Sequence, residues 1–413
     1  MEKTVVNKST IRKTDPVSLL KNNAMLIILV LVYLFFNLPF MTNGRMFNAS
    51  SFYSLINQNA YVYILGCGMM MCMLTGGNID LSCGAFVCLL GAIGGILMVK
   101  WGGGSSAVIT GQPAIGTVGC LLIMLLIGIV YGCGLGFLIA YVRVPPWIAT
   151  LAGYLAFRGL GTSILGAASS TNSISSFPTL FLNLFSGTLF KTPEGTLNWP
   201  CLGVGIFAAT MVVLMIFRNR MVRLSKGYEV DHIGLDIAKA VLGAGAILLV
   251  LWKLAYAGGI PVVLAWVAVV VLVYSFITSK TTVGRHFYVV GGNMEAARLS
   301  GVNTKRIMFL AYLNMAFLTS IVTMITVARF TTAGADTGKN FEMDAISACV
   351  VGGVSASGGA GTILGMVIGA TLIGVINLGM NQMSLDANWQ RVVKGFVLLG
   401  AVVFDILSKK KQS

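Results

Sequence analysis

Twelve apolar runs follow one another along this chain, at about 24–41, 60–75, 83–99, 115–141, 147–166, 199–217, 237–257, 261–278, 307–328, 345–354, 361–380 and 390–407. That succession constrains the fold more than any single residue does. A helix needs about 20 apolar residues to cross a bilayer, and only helices or closed barrels satisfy their own backbone polar groups there. A soluble fold of 413 residues would need a charged surface, which 28 Lys/Arg and 13 Asp/Glu do not supply. A disordered or fibrous chain is equally excluded, because 56% of the residues are hydrophobic. The reading is an all-α, polytopic integral membrane protein with 10–12 transmembrane helices. Two runs, 60–75 and 345–354, are too short to span and lead into Gly-rich breaks, so they are read as half-helices or re-entrant segments.

The formal net charge of +15 raises the question of a nucleic-acid partner, which the placement of the charges answers. With all runs counted as crossings and the N-terminus inside, eighteen Lys/Arg fall on the cytoplasmic side. They are the leader's five, Arg143, the four from Arg218 to Lys226, the five from Lys280 to Arg306, and Lys409 to Lys411. Five fall outside: Arg45, Lys100, Lys191, Arg329 and Lys339. This asymmetry satisfies the positive-inside rule without any nucleic acid. The expected layout is a cytoplasmic polar leader at 1–23, a single transmembrane domain at 24–407 and a cytoplasmic basic tail at 408–413. The first apolar run is read as an uncleaved helix rather than a signal peptide. The eight cysteines show no CxxC and no Cys/His ligand spacing, so they read as reduced packing residues and no metal site is expected.

Glycine, at 50 residues, is expected to let helices approach closely. Gly128, Gly132 and Gly136 recur every four residues, as do Gly361, Gly365 and Gly369, each set forming a flat groove on one helix face. Both surroundings share an order of short apolar segment, polar break, Gly-rich helix and one more helix, which is compatible with a diverged internal repeat.

The first break runs from Thr75 to Ser82 and carries Asn78, Asp80 and Ser82; the second, Gly352 to Gly359, carries Ser355 and Ser357 but no charge. Asn78, Asp80 and Ser82 are good helix N-caps. An intramembrane carboxylate in a broken helix also marks a solute path, and the two roles are compatible. Arg158 falls near the middle of its run, where it needs a partner or water; pairing with Asp80 is one candidate. The translocation-path candidates are therefore Asn78, Asp80, Ser82, Arg158, Ser355 and Ser357.

The loop at about 279–306 contains Asn293, an N-cap residue, Glu295 in a first turn, Arg298 near the end, and Gly301 at a left-handed C-terminal position. A helix of about two turns over Met294–Ser300 is expected outside the bilayer, as a surface linker or as a docking knob.

Four stretches carry a family resemblance: GGNIDLSCG at 76–84, VPPWIATLAGYLAFRGL at 144–160, GRHFYVVGGNMEAARLSGVNTKR at 284–306 and WQRVVKGFVLLGAVVFD at 389–405. They resemble the ribose/xylose-type ABC sugar permeases of bacteria, and the likeness extends from about residue 24 to the C-terminus. A helix pair at about 237–278, with Gly259-Ile260-Pro261 between, looks like the xylose and multiple-monosaccharide branch. Asn78 before Ile79-Asp80, and Cys83, depart from the common pattern and bear on the substrate rather than the class.

The resemblance implies a non-catalytic permease subunit carrying a pentose or hexose across the bacterial cytoplasmic membrane, with both termini inside. It makes Asn293, Met294, Glu295, Ala296, Ala297, Arg298, Leu299, Ser300 and Gly301 the element that couples to an ATPase subunit. It further implies a cytoplasmic ABC ATPase that uses ATP and Mg, an extracytoplasmic sugar-binding protein and a second permease copy, with no cofactor of the chain's own. The sequence has no G-x-x-x-x-G-K-[ST]; its nearest string, Gly334 to Asn340, ends in asparagine. Import of a nucleoside or another small solute is the alternative within the class. A stand-alone secondary transporter would want more intramembrane ionisable residues than Asp80. An intramembrane enzyme would want an HExxH, a GxSxG or an intramembrane His base, and none occurs.

Overall fold

A computed structural model describes residues 24–103, 115–193, 195–228, 230 and 232–410. The expected polar leader at 1–23 and the last three residues of the basic tail lie outside the described residues. In chain order the helices are α1 (Ala24–Phe36), α2 (Ala49–Leu74), α3 (Cys83–Lys100), α4 (Gly116–Phe137), α5 (Pro146–Ala168), α6 (Thr179–Ser186), α7 (Trp199–Ser225) and α8 (Ile233–Tyr256). They continue as α9 (Val262–Lys280), α10 (Thr282–Gly292), α11 (Met294–Leu299), α12 (Thr304–Phe330), α13 (Phe341–Val351), α14 (Ile363–Gln382) and α15 (Ala387–Lys410). The all-α membrane architecture is as expected. Among the described residues, eight helices are long and apolar enough to cross a membrane: α3, α4, α5, α7, α8, α9, α12 and α14. The helices α2 and α15 match them in length, at 26 and 24 residues, with more polar sequences.

The structure corrects the reading of 60–75 as a half-helix. That run is the C-terminal part of α2, whose 26 residues reach about 39 Å at 1.5 Å per residue. The polar stretch Ala49–Asn59 hides the helix from a hydropathy reading. Several of its polar groups find partners inside the protein: Asn59 Nδ2 donates to Ala370 O at 2.7 Å, and Arg329 Nη1 donates to the backbone carbonyls of Asn57 (3.2 Å) and Gln58 (2.9 Å). A helix enclosed by protein can carry side chains that lipid would refuse. The other short run forms α13, whose 11 residues rise about 16 Å, half a bilayer core.

The chain divides into two compact units, Met1–Ser54 with Thr188–Ile260, and Leu55–Gly187 with Pro261–Ser413. In the first, α7 and α8 form an antiparallel pair. Asn198 caps α7 by accepting from Cys201 N at 3.3 Å. Arg220 and Asp236 form a largely buried ion pair across the two helices. Gly205 lies against Leu251 so closely that a Cβ there would sit 3.1 Å from that side chain. Of the two helices at 237–278, α8 packs on α7 within the first unit, and α9 belongs to the second.

The second unit holds the core. The C-terminal half of α2 is almost wholly enclosed, with Val62, Ile64, Leu65, Cys67, Met69 and Met70 inaccessible. On α4 the glycine stripe works as expected. A Cβ at Gly128, Gly132 or Gly136 would stand 1.9 Å from Ser320, 2.8 Å from Ala316 or 2.9 Å from the Phe309 carbonyl, all on α12. The second stripe differs. Gly365 and Gly369 face the Gly352 and Ala348 carbonyls at 2.3 and 2.1 Å by the same measure, while Gly361 precedes the helix at φ +150°. A short antiparallel pair, β1 (Ser173–Ser175) and β2 (Thr332–Gly334), opens the connection between α12 and α13.

Candidate functional site: crossed breaks and a surface knob

The sequence places the two breaks 270 residues apart, and the fold brings them into contact. A Cβ on Gly77 would lie 2.1 Å from the Ala356 carbonyl, and one on Gly358 would lie 2.6 Å from Gly76. Gly77 and Gly358 both have φ in the left-handed region, +75° and +89°, so glycine is required for conformation as well as for space. Gly359 N closes the junction by donating to Leu74 O at 3.2 Å, which satisfies a carbonyl at the end of α2.

Each path candidate has a definite place. Asn78 Nδ2 donates to Thr75 O at 3.3 Å and to Thr75 Oγ1 at 3.2 Å, closing the C-terminus of α2. Asp80 Oδ1 accepts from Ser82 N at 2.8 Å and from Ser82 Oγ, so Asp80 fixes the approach to α3 rather than capping it. Ser82 occupies the N-cap position without a side-chain cap bond. Its hydroxyl also meets the Tyr131 hydroxyl, and Tyr131 stacks on Phe86 (4.3 Å between ring centres) and meets Phe157 edge-on at 4.8 Å. Ser355 and Ser357 share a hydroxyl–hydroxyl bond of 3.0 Å.

Arg158 does not pair with Asp80. Its Nη1 donates to the carbonyls of Ala335 (3.0 Å) and Thr337 (3.1 Å) in the α12–α13 connection. Two bent-back carbonyls offer partial charges at the right spacing, and they tie α5 to that connection. The string Gly334–Asn340 thus serves as an acceptor shelf. Asp336 on this loop is held below the usual carboxylate range by the Lys339 ammonium, 2.7 Å away.

Sequence reasoning missed three groups. Glu342 and Asp344, both 3% exposed, sit in the first turn of α13, and Lys394 reaches Asp344 from α15 at 2.9 Å. Tyr61 also donates to Asp344. Glu342 lies against Gly84, where a Cβ would come within 2.0 Å of Oε2. Asp80 Oδ2, Glu342 Oε2 and Arg158 Nη2 are buried without a hydrogen-bond partner. The signal for Glu342 and Asp344 was a pair of carboxylates two residues apart at the start of a short apolar run. Among the described residues no three His, Cys, Asp or Glu side chains gather as a metal ion would require.

The knob takes the expected form. Helix α11 covers Met294–Leu299, Asn293 Oδ1 accepts from Ala296 N at 2.9 Å, and Gly301 has φ +84°. Glu295 and Arg298 pair with each other at 2.6 Å. Ala297 is buried, so α11 is anchored by one face and presents Leu299, 79% exposed, and Met294 on the other. The segment before it, read as loop, is the helix α10, with Gly284, Phe287 and Val290 buried along one face. A Cβ at Gly291, at its end, would be 1.7 Å from Leu74 O and 2.6 Å from Gly359 N. The knob is therefore joined by two residues to the point where both breaks meet.

Comparison with known proteins adds an independent line. Residues 51–402 match the family model described as branched-chain amino acid transport system / permease component. The xylose transport system permease protein of Haemophilus influenzae is 33% identical over 389 residues, covering 94% of this chain and 96% of that protein. Its Escherichia coli K12 counterpart is 31% identical, covering 94% and 92%. The ribose import permease protein of E. coli K12 is 27% identical, covering 95% of each chain. No solved structure matches the chain significantly.

Proposed function

Because the chain belongs to the branched-chain amino acid transport system / permease component family, we propose that it is the membrane-spanning subunit of an ABC importer that carries a monosaccharide, a pentose or hexose, inward. It is a permease component and not the ATPase. The names of its relatives, a xylose and a ribose permease, support a pentose as the first solute to test. The reading includes a cytoplasmic ATPase partner, an extracytoplasmic sugar-binding protein, a second permease copy, and placement in the cytoplasmic membrane with both termini inside.

One observation carries the mechanism: α11, α10 and the two breaks form one continuous solid path. Gly291 leaves no gap against Leu74 and Gly359, and packed interfaces transmit displacement rather than absorb it. ATP-driven closure of a partner that grips Leu299 and Met294 would push α10 against the junction of the breaks. Asp80, Ser82, Ser355 and Ser357 would then shift together, changing which side of the path is open. Asn78 and Arg158 hold the flanks of that path through Thr75 and the α12–α13 connection.

Leu299→Asp tests the reading. The side chain is exposed, so the subunit should fold and insert normally. ATP-driven uptake of D-xylose or D-ribose by vesicles containing the complex should fall at least tenfold, with loss of ATPase co-purification or of its stimulation by substrate. Uptake and stimulation at the level of the unaltered chain would reject the docking role of α11.

A further inference from the structure

A second polar site lies away from the breaks, where the N-terminal half of α2 meets the ends of α12 and α14 and the starts of α13 and α15. It is a cavity of about 220 Å³, smaller than the roughly 300–1,000 Å³ of sites for drug-sized ligands. Five carboxamides converge on it: Gln58, Asn59, Asn377, Asn381 and Gln390. Asn59 is buried and Asn377 half-buried there, and amides inside an apolar bundle are costly to desolvate unless something hydrogen-bonds to them.

The inventory of partners identifies what that something is. Asn59, 3% exposed, donates its Nδ2 to the Ala370 carbonyl, which fixes the other atom as the amide oxygen. That Oδ1 is buried with no partner, and so is Oδ1 of Asn377. Gln390 Nε2 is already given to Asn381 Oδ1 and Leu385 O, each at 2.9 Å. Both cations on the wall are likewise engaged. Arg329 donates to Asn57 O and Gln58 O and lies 4.3 Å from the centre of the Phe330 ring, and Lys394 pairs with Asp344. The two buried atoms left without a partner, Asn59 Oδ1 and Asn377 Oδ1, are acceptors, which need donors. An anion brings none, and a cation would face Arg329 and Lys394. A neutral solute with several hydroxyl groups fits. The stacked pair Tyr61–Phe341, 3.7 Å between centres, offers apolar surface for its C–H face.

We propose that this chamber is a binding station for a neutral polyhydroxylated solute, built into the permease itself and separate from the crossed breaks. Its two open acceptors are Asn59 and Asn377, and Tyr61–Phe341 forms its apolar wall. The inference deepens the import reading and rests on it for the solute's role as cargo.

The test is equilibrium binding of radiolabelled D-xylose and D-ribose to the full-length permease in lipid nanodiscs, without ATPase or binding protein. Saturable binding of at least one pentose is expected, weakened at least tenfold by Asn377→Leu and by Asn59→Leu. Asn59 also anchors Ala370, so Asn377→Leu carries the test if Asn59→Leu fails to fold; its thermal unfolding should match that of the parent. No saturable pentose binding, or binding unchanged in Asn377→Leu, overturns the proposal, as does competition by inorganic phosphate at equal concentration. ATP-driven pentose uptake by the intact complex distinguishes the two readings. Uptake without a chamber site removes the chamber alone, and a chamber site without ATP-driven uptake removes the import reading.

Discussion

The two breaks solve the same problem by different means. Each interrupts a helix in the apolar interior and frees backbone groups that need new partners. The first, between the 26 residues of α2 and the 18 of α3, is held largely by its own side chains. Thr75 Oγ1 donates to Cys72 O at 2.7 Å, Asn78 folds back on Thr75, and Asp80 gathers Ser82. The second, between the 11 residues of α13 and the 20 of α14, is held mainly by backbone. Ser355 N donates to Ala360 O at 2.8 Å and Gly358 N to Ser355 O at 3.1 Å, with Gly353, Gly358, Gly359 and Gly361 at positive φ. One break contributes chemistry and the other contributes closeness. A repeat at the level of sequence order need not repeat the physical device.

The largest effect should come from filling the contact between them. Gly77→Ala would place a methyl 2.1 Å from the Ala356 carbonyl at φ +75°, combining overpacking of about 1–3 kcal/mol with a left-handed penalty of about 1–2 kcal/mol. Gly353→Ala, at φ +81° with nothing within 4 Å, should incur the second cost alone. Thermal unfolding in detergent should therefore rank Gly77→Ala well below Gly353→Ala, and uptake should be lost only in the former. Equal losses would mean that the breaks do not meet as tightly as the geometry states.

A middle-sized effect is expected from the side chains. Asp80→Ala removes the acceptor of two bonds and leaves Ser82 N–H buried, at about 1–3 kcal/mol. Asp80→Asn keeps an acceptor oxygen and should recover most of that stability. Ser355→Ala removes a hydroxyl that bonds the Ser357 hydroxyl at 3.0 Å and accepts from Ser357 N at the longer distance of 3.3 Å, and with these weaker bonds lost it should cost below about 1.5 kcal/mol. Chemical denaturation of the three variants side by side decides the matter, and Ser355→Ala at or beyond Asp80→Ala would reverse the assignment of roles.

Much of this comparison was legible in the residues. Membrane class, both breaks, the α4 glycine face and the knob with its Asn293 cap all follow from patterns within a few residues of each other. The rest depended on long-range placement. Run 60–75 looked short because the helix that contains it continues into polar residues whose partners, Ala370 and Arg329, lie about 270 to 311 residues away. Arg158 looked like half of a charge pair because sequence shows charges and not free carbonyls. Glu342 and Asp344 drew no attention because a first helical turn is polar in most helices. Helix α10 was hidden by Gly284, Gly291 and Gly292, which read as loop and in fact permit contact with the breaks.

The smallest effect concerns the loop that offers its carbonyls to Arg158, and it tests whether that loop holds its shape from within or from its neighbours. Asp336 and Lys339 pair at 2.7 Å, but the Asp336 side chain is 85% exposed. The ammonium lowers the carboxyl's pKa. A carboxylate depressed in the folded state stabilises that state above its unfolded value, about 3.9, and the contribution is lost as pH falls through the lower folded value. Lys339→Ala should therefore lower stability by less than about 1 kcal/mol at neutral pH. The difference from the parent should stay constant above the unfolded carboxylate value and shrink as the pH falls through the lower folded value. A difference that persists in acid would mean that Lys339 supports the loop by packing rather than by charge. A large loss of uptake at pH 7 would mean that the Arg158 shelf depends on this ion pair, and that the loop belongs with the side-chain-held break rather than with its backbone-held counterpart.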